Sequence, residues 1–285
     1  MAAIDQLLEA LRVVPLGHGA FQGGVVERNL PRLFGGQVIA QALMAAGNSV
    51  PVERPLHSCH SYFLRGGSPV QEVRFQVDVL RDGRRYSVRR VTAEQGGRVL
   101  LSMMASFHEP ETAVIQHSDE GVGNLPTEAR PWEEWRGECP FDLPEWWATD
   151  GPFELRFLMR PSGLIGGSAA TEEQVVWARP RREVGNDPLL SSALLAYAVD
   201  LNMLDAALAG HGRSWYGSSP VAGASLDYAM WIHNARAWNG WIAMRCDSPV
   251  ANHGRGFTRA AVSAEDGTLW ATVTQEGVLR PASPR

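Results

Sequence analysis

The sequence predicts an α+β protein made of two copies of one small domain, each a long buried helix wrapped by an antiparallel sheet. Three observations predict it. A segment recurs: Gly83-Arg-Arg-Tyr-Ser-Val-Arg-Arg-Val-Thr-Ala-Glu94 returns loosely as Gly254-Arg-Gly-Phe-Thr-Arg-Ala-Ala-Val-Ser-Ala-Glu265, with Tyr86 matching Phe257. Repetition at this distance points to a doubled domain and not to a solenoid of short units. Each half also holds one stretch, Phe34 to Asn48 and Pro188 to about Leu208, that is apolar on nearly every side. Such a helix has to be buried. After each helix come long runs with the alternation of half-buried strands.

The elements follow in order. Met1 to Leu16, carrying Asp5 and Glu9 and no basic stretch, reads as an amphipathic helix and not as a signal peptide. The first long helix ends near Gly47. Val73, Phe75, Val77 and Val79 then alternate with mostly polar residues, and Asp82-Gly83 and Gln95-Gly96-Gly97 mark hairpin turns. Glu109 to about Gly151 breaks the pattern: it is acidic and crowded with Trp132, Trp135, Trp146 and Trp147. It reads either as a linker packed on the surface or as a wall over a substrate channel. Asp187-Pro188 starts the second helix with an N-cap and a first-turn proline. Strands are expected around Ser225–His233, Trp238–Cys246, Gly256–Ala264 and Leu269–Leu279. Wrapping each helix in its sheet makes each half a candidate hotdog domain. The predicted organisation is an N-terminal hotdog over 1–108, a linker over 109–150 and a C-terminal hotdog over 151–285.

Composition bounds the function. The 285 residues suit about two domains, and a net charge of −5 argues against a nucleic-acid partner. All 26 basic residues are arginine, which excludes lysine Schiff-base chemistry and a standard P-loop. Cys59, Cys139 and Cys246 form no C-x-x-C pair, so neither a disulfide framework nor a zinc site is expected, and the cytoplasm is the expected setting. No apolar run is expected to reach the roughly 18 residues that span a bilayer. His57 and His60, three apart in a strand, point to opposite faces and make a poor chelating pair. There is no G-x-S-x-G nucleophile elbow. No metal and no cofactor are expected. Exposed sheet edges suggest a homo-oligomer.

Differences between the copies point to the chemistry. Asp200 has Ala196, Tyr197, Met203 and Leu204 as its helical neighbours, while the matching first-half helix contains no acid. A carboxylate on an apolar face is costly to desolvate, and its pKa tends upward. It is either a structural group bonded to nearby backbone or a functional one, and the asymmetry favours the second. Gln275 shares one strand face with Leu269, Ala271, Val273 and Leu279, and its first-copy counterpart reads as Ala105. Ser225 begins a strand and reads on its own as a cap or turn residue; Asp227, Tyr228 and His233 lie close by and compete for any role.

These residues sit among familiar words: Phe34-Gly-Gly-Gln-Val-Ile-Ala-Gln41, His57-Ser-Cys-His-Ser-Tyr-Phe-Leu64, Asp200-Leu-Asn202, Met230-Trp231 and Gln275-Glu-Gly277. Spread over nearly the whole chain and in family order, they resemble the acyl-CoA thioesterase II family of TesB-like, double-hotdog enzymes. The chain departs from the family at Tyr228, where histidine is common, at Gly66, and at Asn234-Ala235. The resemblance implies hydrolysis of acyl-CoA by a water held between Asp200, Ser225 and Gln275, with Asp200 as general base. It implies an acyl-CoA substrate, arginines on the coenzyme A phosphates, and Gly35 and Gly36 as oxyanion or substrate contacts. The rival expectations are a hotdog dehydratase acting on enoyl or hydroxyacyl thioesters, disfavoured because no histidine lies in the second helix, and a non-catalytic acyl-CoA-binding protein.

Overall fold

A computed structural model describes residues 1–26, 31–118, 121, 123, 125–167 and 173–282. The described elements run α1 (Ala3–Leu11), β1 (Val14–Gly17), β2 (Ala20–Gly23), α2 (Gly35–Gly47), β3 (Leu56–Phe63), β4 (Val73–Asp82), β5 (Tyr86–Gln95) and β6 (Arg98–His108) through the first half. Then come β7 (Arg130–Pro131), α3 (Trp132–Gly137), α4 (Glu145–Ala148), β8 (Phe153–Phe157), α5 (Ser162–Ile165), β9 (Gln174–Pro180), α6 (Pro188–Asp200) and α7 (Ala206–Ala209). The chain closes with β10 (Val221–Ser225), β11 (Asp227–Ile232), β12 (Ile242–Asn252), β13 (Arg255–Ala264) and β14 (Leu269–Pro281).

The two halves are double-hotdog partners that share one antiparallel sheet. Its order is β1-β2-β4-β5-β6-β3-β11-β14-β13-β12-β9-β8-β7, with β10 also on β14. The seam is β3 against β11, where Met230 faces Cys59 and Asp227 faces Tyr62. Both strands bury their inward residues, and Cys59, Tyr228 and Met230 are fully enclosed there. The expected strand Trp238–Cys246 starts four residues later, at Ile242. Gly240 turns the chain at φ +84°, a conformation that favours glycine, and Trp238 packs inward from that turn, stacked on Phe153 at 5.3 Å.

Helices α2 and α6 lie against each other inside the wrap. The sequence explains why each forms where it does. In α6 the Asp187 carboxylate caps the Leu189 N–H at 2.8 Å, and Pro188 fills the first turn. Ser191 and Ser192 return their hydroxyls to the carbonyls four residues back, so no polar group is stranded in that apolar helix. In α2 the buried Gln41 donates to the Ala10 and Gly24 carbonyls at 2.9 and 2.7 Å, tying α1 and the following loop to the core.

Two expectations are corrected here. The second long helix does not run unbroken to Leu208. It stops at Asp200, and a short 3-10 turn over Met203–Asp205 leads into α7. The wider stretch Pro188–Ala209 is also long and apolar enough, by length and composition, to cross a membrane, where no such run was expected. In the fold 83% of its most apolar window is buried. A core helix wrapped on all sides carries the same composition as a membrane span, because both exchange water for hydrocarbon.

Candidate active site

The helix break places Asp200 at the last position of α6, facing the first turn of α2. A Cβ on Gly35 would lie 3.1 Å from Asp200 Oδ2, and one on Gly36 would lie 3.1 Å from Asp200 Cβ. The absence of side chains there lets the acid of one half reach the backbone of the other. Phe34 supplies no side-chain cap to α2, and the Gly36 N–H hydrogen-bonds Asp200 instead. A helix N-terminus is a favourable place for a carboxylate, while the C-terminal end of Asp200's own helix is not.

Gln275 and Ser225 complete the cluster. Gln275 Nε2 donates to Asp200 Oδ1 at 2.5 Å and to Ser225 Oγ at 2.7 Å. Ser225 Oγ stands 3.5 Å from the same carboxylate oxygen, at the limit of a hydrogen bond. The amide has to present its nitrogen here, since its oxygen against a carboxylate would set two acceptors together. Gln275 Oε1 is then a buried acceptor with no partner among the described residues.

Ser225 reaches this cluster through a change of register. In β10 it faces Gly277, and in β11 Met230 faces Val273. Both β14 partners lie two residues or a multiple of two from Gln275, so Ser225 and Met230 share the inner face. They are five apart in the chain, and unbroken alternation would have put them on opposite faces. The one-residue slip at Leu226 resolves this, acting as bulges do when they re-aim a side chain.

Burial pushes the Asp200 carboxyl up to about 6, against the opposing pull of hydrogen bonds from Gln275, Gly36 and Ser225. The residue as a whole is part-buried, so the desolvated portion is the carboxyl and not the helix end that carries it. A carboxyl poised there is mostly ionised at neutral pH yet basic enough to accept a proton.

The competing residues have other partners. Asp227 Oδ1 accepts from the Glu276 N–H at 2.8 Å, a backbone role. His233 bonds Thr272 Oγ1 at 2.9 Å on the exposed side. Tyr228 is buried beside the cluster with its hydroxyl 3.8 Å from Met230 Sδ. His57 bonds Ser106 Oγ at 2.8 Å, and the ring of His60 meets Trp231 edge-on at 5.1 Å, so the two histidines have separate partners.

Sequence reasoning missed a second buried acid. Asp205 is 3% exposed, accepts a hydrogen bond from the Trp215 indole N–H, and leaves Oδ2 without a partner among the described residues. Burial pushes it up to about 7. The signal was available: Asp205 lies in the same apolar run as Asp200, and the argument applied to one acid applies to the other. A folded-state pKa raised above the ordinary carboxyl value means the folded protein holds a proton that the unfolded chain releases. Its stabilising contribution is therefore full below about pH 4 and is lost as pH rises through about 7. Urea unfolding of Asp205→Asn at pH 5 and pH 8 should give a smaller stability difference than wild type, by up to about 3 kcal/mol. An equal drop in both proteins would remove Asp205 as the source.

Comparison with known proteins decides the family. The acyl-CoA thioesterase N-terminal domain profile matches residues 28–108, and the acyl-CoA thioesterase C-terminal domain profile matches 124–279. The chain is 31% identical to acyl-CoA thioesterase 2 of Haemophilus influenzae over 97% of its own length and 98% of that protein's. The chain belongs to the acyl-CoA thioesterase II family. It is accordingly an enzyme of the thioester hydrolase class. Human acyl-coenzyme A thioesterase 8 is 32% identical, over 95% of this chain and 87% of that one. Among solved structures, the acyl-CoA thioesterase II TesB2 of Mycobacterium marinum superposes with a TM-score of 0.77 at 30% identity, over 97% of this chain and 99% of that chain. Thioesterase II relatives thus share the double hotdog over essentially the whole chain.

Proposed function

We propose that the protein hydrolyses acyl-CoA thioesters to free acid and coenzyme A by direct attack of water, without a covalent intermediate. The observation that carries this reading is the single hydrogen-bonded cluster of Asp200, Gln275 and Ser225 at the meeting point of α6 and α2. Asp200 is the general base. The unpartnered Gln275 Oε1 and the Asp200 carboxylate are two acceptors for the two protons of one water, and Ser225 holds the amide in place. Water adds to the acyl carbonyl as its proton passes to Asp200. Collapse of the tetrahedral intermediate breaks the C–S bond, and the departing thiolate recovers the proton. A thiolate leaves readily, so no serine nucleophile is needed.

Gly36 has its N–H engaged with Asp200, which leaves Gly35 as the member of the pair assigned to the carbonyl oxygen. Its place in the first turn of α2 supplies the positive end of the helix dipole. In this reading the chain divides into an N-terminal hotdog over 1–108, a connecting segment over 109–150 and a C-terminal hotdog over 151–285 that carries the base.

The test is to incubate the purified protein with straight-chain acyl-CoAs of increasing length and follow free thiol. Steady release of thiol with one equivalent of free acid is the expected result. Binding without release would identify a non-catalytic acyl-CoA protein, and hydration of an enoyl-CoA with the thioester intact would identify a dehydratase.

A further inference from the structure

The second buried acid sits in the turn that follows the helix break. Asp205 and its neighbour Leu204 belong to the 3-10 turn Met203–Asp205, and both lead to the two strands around Ser225. A Cβ on Gly277 of β14 would lie 2.7 Å from Leu204 Cδ1, so that side chain rests on the residue paired with Ser225. A Cβ on Gly223 of β10 would lie 2.5 Å from Trp215 Cζ3, so the indole rests on β10. Gly223 and Ser225 are alternate residues of one regular ladder and face the same way. Ser225 is therefore flanked by Trp215 along its own strand and by Leu204 across the ladder. Asp205 fixes the first of these, because its carboxylate accepts from the Trp215 indole N–H.

The carboxyl is closed in from behind. A Cβ on Gly163 of α5 would lie 3.0 Å from both Cβ and Cγ of Asp205. The Gly163 carbonyl is already taken, by the Trp215 backbone N–H at 2.9 Å and by Ser214 Oγ at 3.0 Å. Burial raises Asp205, and the Trp215 bond opposes it. Two other titratable groups feel this carboxyl, Tyr216 beside Trp215 and Cys246 of β12. Burial and then the Asp205 charge raise both, Cys246 to about 12, so neither changes charge near neutral pH. Asp247 and Glu173 act on Cys246 and not on Asp205. Arg255 and Arg259 of β13 are exposed and paired with Glu276 and Asp247. A buried charge with one unbonded oxygen is costly to keep dry. Ionisation draws water toward Oδ2, through the packing that Gly163 and Trp215 make around the carboxyl.

We propose that Asp205 is a positioning residue for the hydrolytic cluster: protonated, it seats Trp215 on β10 and so holds Ser225 against Gln275, and its ionisation loosens that seat. The inference rests on the thioesterase reading above and deepens it, by giving activity an alkaline limit that Asp200 does not supply. Asp205 acts through Trp215 and Ser225 and does not itself meet the reacting water.

The experiment follows kcat/KM against pH with one straight-chain acyl-CoA for wild type, Asp205→Asn and Trp215→Phe, beside thermal melts at each pH. Wild type should rise through about pH 6 with Asp200 and fall above about pH 7, to roughly a tenth of its maximum near pH 8. Asp205→Asn presents a neutral amide that can still accept from the Trp215 N–H. It should lose the alkaline limb and keep the acid one. Trp215→Phe removes the donor that lowers Asp205, so its alkaline limb should move to higher pH. A merely structural acid would change the melting temperature and leave both limbs in place. A wild type with no alkaline limb, or an unmoved limb in Asp205→Asn, would overturn the proposal while leaving the thioesterase reading intact. If Trp215→Phe does not fold, the profiles of wild type and Asp205→Asn decide. Failure of wild type to release thiol from any acyl-CoA would defeat the underlying reading instead.

Discussion

Asp200→Asn should lower kcat by at least about a hundredfold, the lower end of what a positioned general base contributes. The amide is nearly the same size as the carboxyl and keeps an oxygen to accept from Gln275 or from the Gly36 N–H, so the links between α2 and α6 survive. Stability should hold or rise, because a desolvated carboxylate is replaced by a neutral group. That expectation separates catalysis from architecture. Asp200 is also the group that meets the uncapped start of α2, so a merely structural acid would show its loss in the melting temperature. Steady-state assays beside thermal unfolding give both readings. A variant that melts like wild type and turns over within about threefold of it would remove Asp200 from the mechanism.

Gln275→Leu is the second large effect. The side chain is fully buried and donates to both Asp200 and Ser225. Hydrogen bonds to a charged group contribute about 1.5–3 kcal/mol, so turnover should fall by roughly 10- to 100-fold. The pH profile should move as well. In wild type the Asp200 carboxyl titrates at about 6, and activity should fall below that pH as the base is protonated. The Gln275 bond lowers this value while burial raises it. Removing the donor leaves burial less opposed, so the acid limb should shift to higher pH. A purely structural glutamine would reduce rate without moving the limb, and an unmoved limb would count against contact with an ionised Asp200.

The cluster was partly legible because two of its members break a local rule. An acid in an apolar helix and an amide in an apolar strand row can be found without coordinates, and the second copy of the repeat serves as an internal control. The same comparison misplaced one correspondence. With Tyr86 matched to Phe257, Ser87 matches Thr258, and the strand pairings set Phe107 opposite Ser87 and Gln275 opposite Thr258. The first-copy counterpart of Gln275 is therefore Phe107 and not Ala105. A slip of two residues keeps every side chain on its original face, so alternation cannot detect it. The conclusion survives, because both residues are apolar and buried.

Sequence by itself determined the doubled α+β architecture, the two enclosed helices, the turns and the asymmetry between copies. These follow from periodicity and composition, which are local properties of the chain. Tertiary structure decided where α6 stops, how Ser225 comes to face inward, and which backbone N–H meets Asp200. Each depends on partners far along the chain: a register slip at Leu226 set by pairing with β14, and a bare Gly35-Gly36 turn brought to the helix end by packing of one half on the other. The poise of the carboxyl is likewise a tertiary property, since burial and three hydrogen bonds from separate elements oppose one another over a single group.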